Sequence, residues 1–425
     1  MFFYRQKELE ILESDFLKPN SSFNFIFGRK KIGKTSFINE YIKNKETLYL
    51  SCFETMSDLL IKKLKETIDN FFTMNNNLKV ENLEQLFIYI SEQKIDDKIV
   101  IVLENINYLQ KIEKDFISQF NNYWTKYLKN KNIQFLITSS FYSTSSNDIF
   151  VYKKADNIIK LKSLDYTIIN NILPNLDKKD WFYVYSTFGT NPSYLKYYDT
   201  NKDFQTNLKE NFLAYDSMFF NEGMNILKSD LSEILTYSSI LYAISLGNRK
   251  IGDIANFLNL KSSYLTRYMQ KLVELMILEK VVPINENPLK SKFGRYEIED
   301  NFLKFWFAFI YTNFDSFQNK EIDTYQFIKD DIDKILIQDA YKKYLLDEIN
   351  TNPQTLLDFI PNKFGSWWNN RDIEIDIVAY NSKEITFLEC NYFKKDNEKI
   401  YKNLIDKSKF FDTTLTKNYE IMFNK

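Results

Sequence analysis

Four short apolar runs punctuate the first 140 residues: FNFIF at 23–27, LYLSCF at 48–53, KIVIVLE at 98–104 and IQFLITSS at 133–140. They are apolar at consecutive rather than alternate positions and rich in Ile, Val and Phe, the pattern of strands covered on both faces. Helical spacing starts at Lys34 and returns near residues 57 to 73 and 112 to 128. Strand alternating with helix predicts a parallel sheet flanked by helices. After NIIKLKSL at 157–164 the strand signal fades, and helical patterning to about residue 228 predicts a helical lid.

From 231 to 280 the pattern is helix, short turn, helix. Ile251, Ile254, Ala255 and Leu258 repeat at helical spacing, residues 259–261 break the run, and Leu265, Met269, Leu272 and Met276 resume it after an N-cap at Ser262 or Ser263. VVPI and RYEI follow as two strand-like runs around the loop NENPLKSKFG, so a helix-turn-helix with a wing is expected. The last hundred residues begin helical and end in two strands, EIDIVAY and EITFLEC, joined by residues 381–383. The expected segments are 1–160, 161–228, 229–312 and 313–425.

At 425 residues the chain suggests two to four domains. No stretch approaches the roughly 18 apolar residues that span a bilayer, and the N-terminal segment turns charged too early for a signal peptide. The expected location is the cytoplasm, with no membrane partner. Lys and Arg number 56 against 57 Asp and Glu, so any nucleic-acid contact must be local. Cys52 and Cys390 form no closely spaced pair and fit buried thiols. Histidine is absent, which excludes His-based acid/base chemistry and Ser-His-Asp or Cys-His nucleophiles.

Between FNFIF and the next helix the chain reads Gly28, Arg29, Lys30, Lys31, Ile32, Gly33, Lys34, Thr35, Ser36. This meets the pattern G-x-x-x-x-G-K-[ST], which random sequence produces about once in 30,000 positions. Its glycines let backbone N–H groups face phosphates, its lysine meets the β- and γ-phosphates, and its threonine hydroxyl ligates magnesium. ATP and Mg²⁺ are therefore the expected cofactors. A second strand should supply a carboxylate beside the metal, and KIVIVLENINYL offers Glu104; the usual pair is Asp then Glu, whereas here Asn105 follows. A general base for water is missing at Asn105, which predicts firm binding and slow hydrolysis. Glu104 as a charge that merely ends a strand is the bland alternative. Thr138, Ser139 and Ser140 follow IQFLI and are candidates to sense the γ-phosphate.

These residues resemble the archaeal-type P-loop ATPases of the STAND and AAA+ group, over essentially the whole chain. FYRQKELEIL is similar to the family's F-x-x-R-E-x-E-L opening near the adenine, keeping Phe3, Arg5, Glu8 and Leu9. LENINYL resembles I-D-E-F-Q-Y-L, which sets Glu104 on the family's Asp and Asn105 on its Glu. FGTNPSYL at 188–195 is similar to F-G-G-x-P-x-Y-L of the lid, and YEIEDNFLKFWFAFI at 296–310 to Y-x-I-x-D-x-F-L-x-F-W. The resemblance implies an α/β fold: a P-loop NTPase parallel sheet with helical lid, a winged helix-turn-helix, then a small α/β restriction-endonuclease-like domain of unknown function.

Tyr264, Arg267 and Lys271 share one face of the second helix of the helix-turn-helix, and the wing adds Lys290, Lys292 and Arg295. Their expected partner is duplex DNA phosphate, with a protein partner as the alternative, because 231–312 holds only ten basic against eight acidic residues. In the C-terminal domain Asp376 and Glu389 are placed to hold a second magnesium, with Glu374 on the face of Asp376. The family's E-C-K reads Glu389, Cys390 and Asn391 here, so the lysine of a PD-(D/E)-x-K nuclease is missing unless Lys394 or Lys395 replaces it. The expected function is a slow ATP-dependent switch; an ATP-gated metal-dependent nuclease and a non-enzymatic ATP-stabilised scaffold are the rivals.

Overall fold

The computed structural model describes residues 4–73, 79–113, 115–142, 152, 154–228, 230–318, 324–371, 373–393 and 397–424. Phe3, Lys394 and Lys395 lie outside the described residues. Chain contacts divide the protein into two compact units, 1–162 with 274–276, and the remainder.

The first unit opens with helix α1 (Gln6–Phe16) and alternates strand β1 (Ser22–Phe27), helix α2 (Lys34–Ile42), β2 (Thr47–Ser51), α3 (Ser57–Phe71), α4 (Leu83–Ser91), β3 (Ile99–Glu104), α5 (Asn107–Ile112), α6 (Phe116–Tyr123), β4 (Ile133–Ser139) and β5 (Asn157–Lys160). All five strands are parallel, in the order β2-β3-β4-β1-β5. Phe23, Phe25 and Phe27 enter one core with Ile101, Leu103 and Phe135, while Ile26 enters the opposite core with Val100, Val102 and Leu136. Both faces of β1, β3 and β4 are thus covered, which is why polar residues are few there, while the edge strands β2 and β5 are only partly buried. Helix α4 was not singled out by the pattern, and the helix expected near 112–128 is α6, which continues through a wider turn at Trp124–Leu128, with the short α5 preceding it.

In the second unit, helix α7 (Lys178–Thr187) leads into FGTNPSYL, where Asn191 caps a short turn by accepting a hydrogen bond from the Ser193 amide. That segment packs against the 296–310 motif: Tyr194 stacks on Phe302 with centroids 4.3 Å apart, and Asn301 donates to the Tyr185 carbonyl. The Trp306 indole donates to the carbonyls of Phe219 and Phe220, and a Cβ on Gly223 would meet its ring at 2.2 Å. Only glycine fits there. Helices α8 (Ile234–Ser245), α9 (Ile251–Phe257) and α10 (Ser262–Glu274) follow, with Leu265, Met269 and Leu272 buried as their spacing predicts.

An antiparallel hairpin then joins β6 (Leu278–Val281) to β7 (Arg295–Ile298). The first strand was expected at VVPI; it ends instead at Val281, because Pro283 has no N–H to continue a ladder. Helix α11 (Gln338–Thr351) precedes β8 (Lys363–Trp368), β9 (Glu374–Tyr380) and β10 (Glu384–Asn391), and helix α12 (Asn397–Ser408) crosses over to β11 (Thr416–Phe423). The order is β11-β10-β9-β8, antiparallel except for the parallel pair β10–β11. Only β9 and β10 had been foreseen; β8 and β11 complete a four-stranded mixed sheet.

Candidate functional site

The loop between β1 and α2 wraps its own lysine. Lys34 Nζ donates to the carbonyls of Gly28 at 2.6 Å and Arg29 at 3.1 Å, and the side chain is largely buried. Lys31 and Gly33 adopt left-handed backbone, with φ of 67° and 95°. Those two residues turn the chain sharply enough to put Gly33 at the N-cap of α2. Arg29 is buried, Lys30 is half-buried, and Lys31, Thr35 and Ser36 are exposed; Ile32 packs into the core beneath. Arg5, noted only through family resemblance, proves to be a positioning residue. It donates to the Ile32 carbonyl at 3.3 Å and the Lys162 carbonyl at 2.8 Å, tying the loop to the chain beyond β5.

Thr35 Oγ1 donates to Glu104 Oε1 at 2.5 Å. A separation of 69 residues closes into one hydroxyl–carboxylate pair because β3 and β1 are held on either side of β4. Glu104 is buried among Cys52 and Tyr49 of the neighbouring strand, whose thiol is pushed up to about 12 and whose phenol is also raised, in each case by burial first and by the Glu104 charge second. Neither Cys52 nor Tyr49 can share the charge of Glu104 at neutral pH. Asn105 takes left-handed backbone at φ 61°, a conformation asparagine tolerates, and its N–H donates to Thr138 Oγ1 at 3.0 Å. Thr138 and Ser139 are fully buried, and Ser139 Oγ accepts from the Phe141 amide. Both hydroxyl oxygens accept from backbone amides and so hold local turns, and Ser140 is buried beside them. Glu54, an alternative base, is exposed and paired with Lys111 at 2.7 Å.

The C-terminal carboxylates are also brought together, but with cations already on them. Glu374 accepts from Arg295 at 2.6 Å and Lys342 at 3.0 Å; Asp376 faces Lys342 at 3.5 Å and accepts from the Cys390 amide at 2.9 Å. Glu389 accepts from Lys407 at 2.6 Å through one oxygen, while the other is buried without a partner. Burial and the Asp376 charge raise Glu389 to about 7, against the opposing pull of Lys407. Burial would raise Glu374, but Lys342 and Arg295 outweigh it and hold the group at about 2. Nothing local in the sequence marks Lys342 of α11 or Lys407 of α12 as partners of strand carboxylates 32 and 18 residues away. Among the described residues no three carboxylate or thiol groups converge as a metal site.

On the helix-turn-helix, Arg267 is 65% exposed and pairs with Glu233 at 3.4 Å while lying over the Tyr268 ring; Tyr264 is exposed and Lys271 half-buried. Lys290 and Lys292 are exposed on the loop between β6 and β7. Arg295 departs from expectation. It is buried, ion-paired with Glu374 and stacked at 4.3 Å over Trp368, so its guanidinium is not presented to a phosphate.

Comparison with known proteins agrees with this geometry. A family description of an ATPase domain predominantly from Archaea matches residues 2–198, and one of archaeal and bacterial proteins of unknown function matches 306–402. The uncharacterized protein MJECL04 of Methanocaldococcus jannaschii is 30% identical over 421 residues, spanning 96% of this chain and 92% of the relative. The uncharacterized ATP-binding protein MJ0423 of the same organism is 34% identical over 53 residues, 12% of this chain and 90% of that one. Among solved structures, the Walker-type ATPase PABY2304 of Pyrococcus abyssi aligns with a TM-score of 0.53 at 15% identity, over 72% of this chain and 96% of that one, a likeness of fold. No helix among the described residues is long and apolar enough to cross a membrane.

Proposed function

We propose, because this chain belongs to the archaeal-type P-loop ATPase family, that it is a slowly hydrolysing ATP switch whose helix-turn-helix and hairpin contact duplex DNA. ATP binding follows from the family and the loop. The slow rate and the DNA contact are the proposal. The observation that carries the switch reading is the contact of Thr35 with Glu104 beside a lysine held inside its own loop. A hydroxyl and a buried carboxylate at the loop mouth suit a magnesium ion, which would neutralise phosphate charge. Lys34 would exchange its carbonyl partners for phosphate oxygens, a stronger charge-assisted contact. Asn105 has no carboxylate to take a proton from water, and the chain has no histidine, so hydrolysis lacks a ready base.

Arg267, Lys290 and Lys292 support the DNA reading by their exposure. The nuclease reading is disfavoured: Asn391 stands at the lysine position, and Lys342 and Lys407 already neutralise the carboxylates a divalent ion needs. Titrating ATP with and without a short duplex tests the switch. Reciprocal shifts in the two affinities are expected, and independent binding overturns it in favour of a scaffold or a protein partner. Turnover should be low and rise about tenfold in Asn105→Glu, if a general base is what is missing. Brisk turnover unchanged by that substitution would refute the slow-switch reading.

A further inference from the structure

The loop between β6 and β7, expected to form a wing, is seated at both ends on the C-terminal sheet. At its start Ile284 donates its amide to the Ser366 carbonyl at 3.0 Å and sits in the core formed by Trp367, Ile375 and Phe387. At its end the Trp368 indole donates to the Phe293 carbonyl at 2.9 Å, and Arg295 lies over the same indole while pairing with Glu374. A second pair repeats the arrangement beside the helix-turn-helix. Arg249, just before α9, bonds Asp339 of α11, which also holds Lys304. Arg249, Arg295, Asp339 and Glu374 line a cleft of about 530 Å³ together with Lys250 and Lys342.

The cations of this cleft come from the helix-turn-helix, the hairpin and α11; the anions Asp339, Glu374 and Asp376 come from α11 and β9, joined by Asp253 of α9, while Glu297 of β7 also pairs with Arg249 at 3.3 Å. A carboxylate offers arginine the same planar, two-oxygen edge that a phosphate does. We infer that Glu374 and Asp339 are internal stand-ins for DNA phosphates, latching Arg295 and Arg249 and keeping the hairpin docked until a duplex competes for them. The latch rests on the DNA reading proposed above. It also accounts for Arg295, the wing arginine that the sequence assigns to DNA and the fold buries. A buried ion pair is held by a small balance between desolvation and attraction, so exchange of one anion for another is accessible. The contact shuts two surfaces at once, because Glu374 and Asp376 cannot take another cation while Arg295 and Lys342 hold them.

The test is amide hydrogen exchange across residues 284–294 in the full chain, alongside duplex binding at low salt. Glu374→Gln removes the charge that holds Arg295, and Trp368→Leu removes its stacking surface and the bond to Phe293 without touching a carboxylate. Both should speed exchange in the loop and tighten duplex binding about tenfold, and freeing one more cation should steepen the salt dependence by about one ion. Unchanged exchange in both variants overturns the latch. Faster exchange with no gain in duplex binding would leave the docking intact as a contact and overturn the claim that DNA phosphates are what it excludes. Absence of duplex binding in wild type and variants alike, with ATP binding retained, would fault the DNA reading itself.

Discussion

Two sites in this protein place carboxylates on strands, and they are built on opposite principles. At the end of β3, Glu104 meets a neutral hydroxyl, Thr35, so its charge remains for an incoming cation. On β9 and β10, Glu374, Asp376 and Glu389 meet Arg295, Lys342 and Lys407, so the protein supplies the cations itself. The first arrangement suits a ligand that arrives from solvent; the second draws its counterions from within the fold. Acidic residues on strands are therefore not equivalent, and the partner decides whether a carboxylate is a binding group or a structural one.

The sharpest way to break this comparison is to remove a built-in cation. Lys342→Met leaves Glu374 and Asp376 largely buried without their shared ammonium, and urea denaturation should show a loss of about 3 kcal/mol or more. Glu104→Gln, which strands no opposite charge, should lose far less. Comparable losses in the two would erase the distinction. Next in size is ligand-linked stability: at ATP about a hundredfold above its dissociation constant, with magnesium, the wild type should gain about 2.7 kcal/mol. Lys34→Ala should lose most of that gain in a thermal shift assay; equal shifts would show that Lys34 makes no phosphate contact.

The smallest expected effect is on pH dependence, and it sharpens the contrast within the second site. Glu389 is raised to about 7 by burial and then by Asp376, so its neutral form favours the folded state. That contribution is complete below the ordinary carboxylate value near 4.5 and is lost as pH rises through about 7. Glu374, held at about 2, contributes in the opposite sense: its stabilisation is present above 4.5 and lost as pH falls toward 2. Melting temperature should therefore decline between pH 4.5 and 8 in the wild type, by the equivalent of about 1–2 kcal/mol, and Glu389→Gln should flatten that decline. An unaltered decline in the variant would assign it to another group.

What the sequence determined by itself was everything whose cause is local. Eight contiguous residues specify the phosphate-binding loop, since its turn, lysine and hydroxyl act within one bend of chain. Mainly apolar runs sufficed for β1, β3 and β4, because burial on both faces leaves little room for polar alternation. The same holds for α9, α10, β9 and β10. Tertiary structure decided the rest. That Thr138 holds the Asn105 amide, that Arg5 braces the loop, and that Lys342 and Lys407 neutralise the C-terminal carboxylates all depend on strand order and helix placement across tens of residues. Arg295 shows the limit most plainly: its neighbours in sequence are those of an exposed basic wing, yet Trp368 and Glu374, brought in by the last sheet, bury it. Charge is written in the chain, but its counterion is chosen by packing.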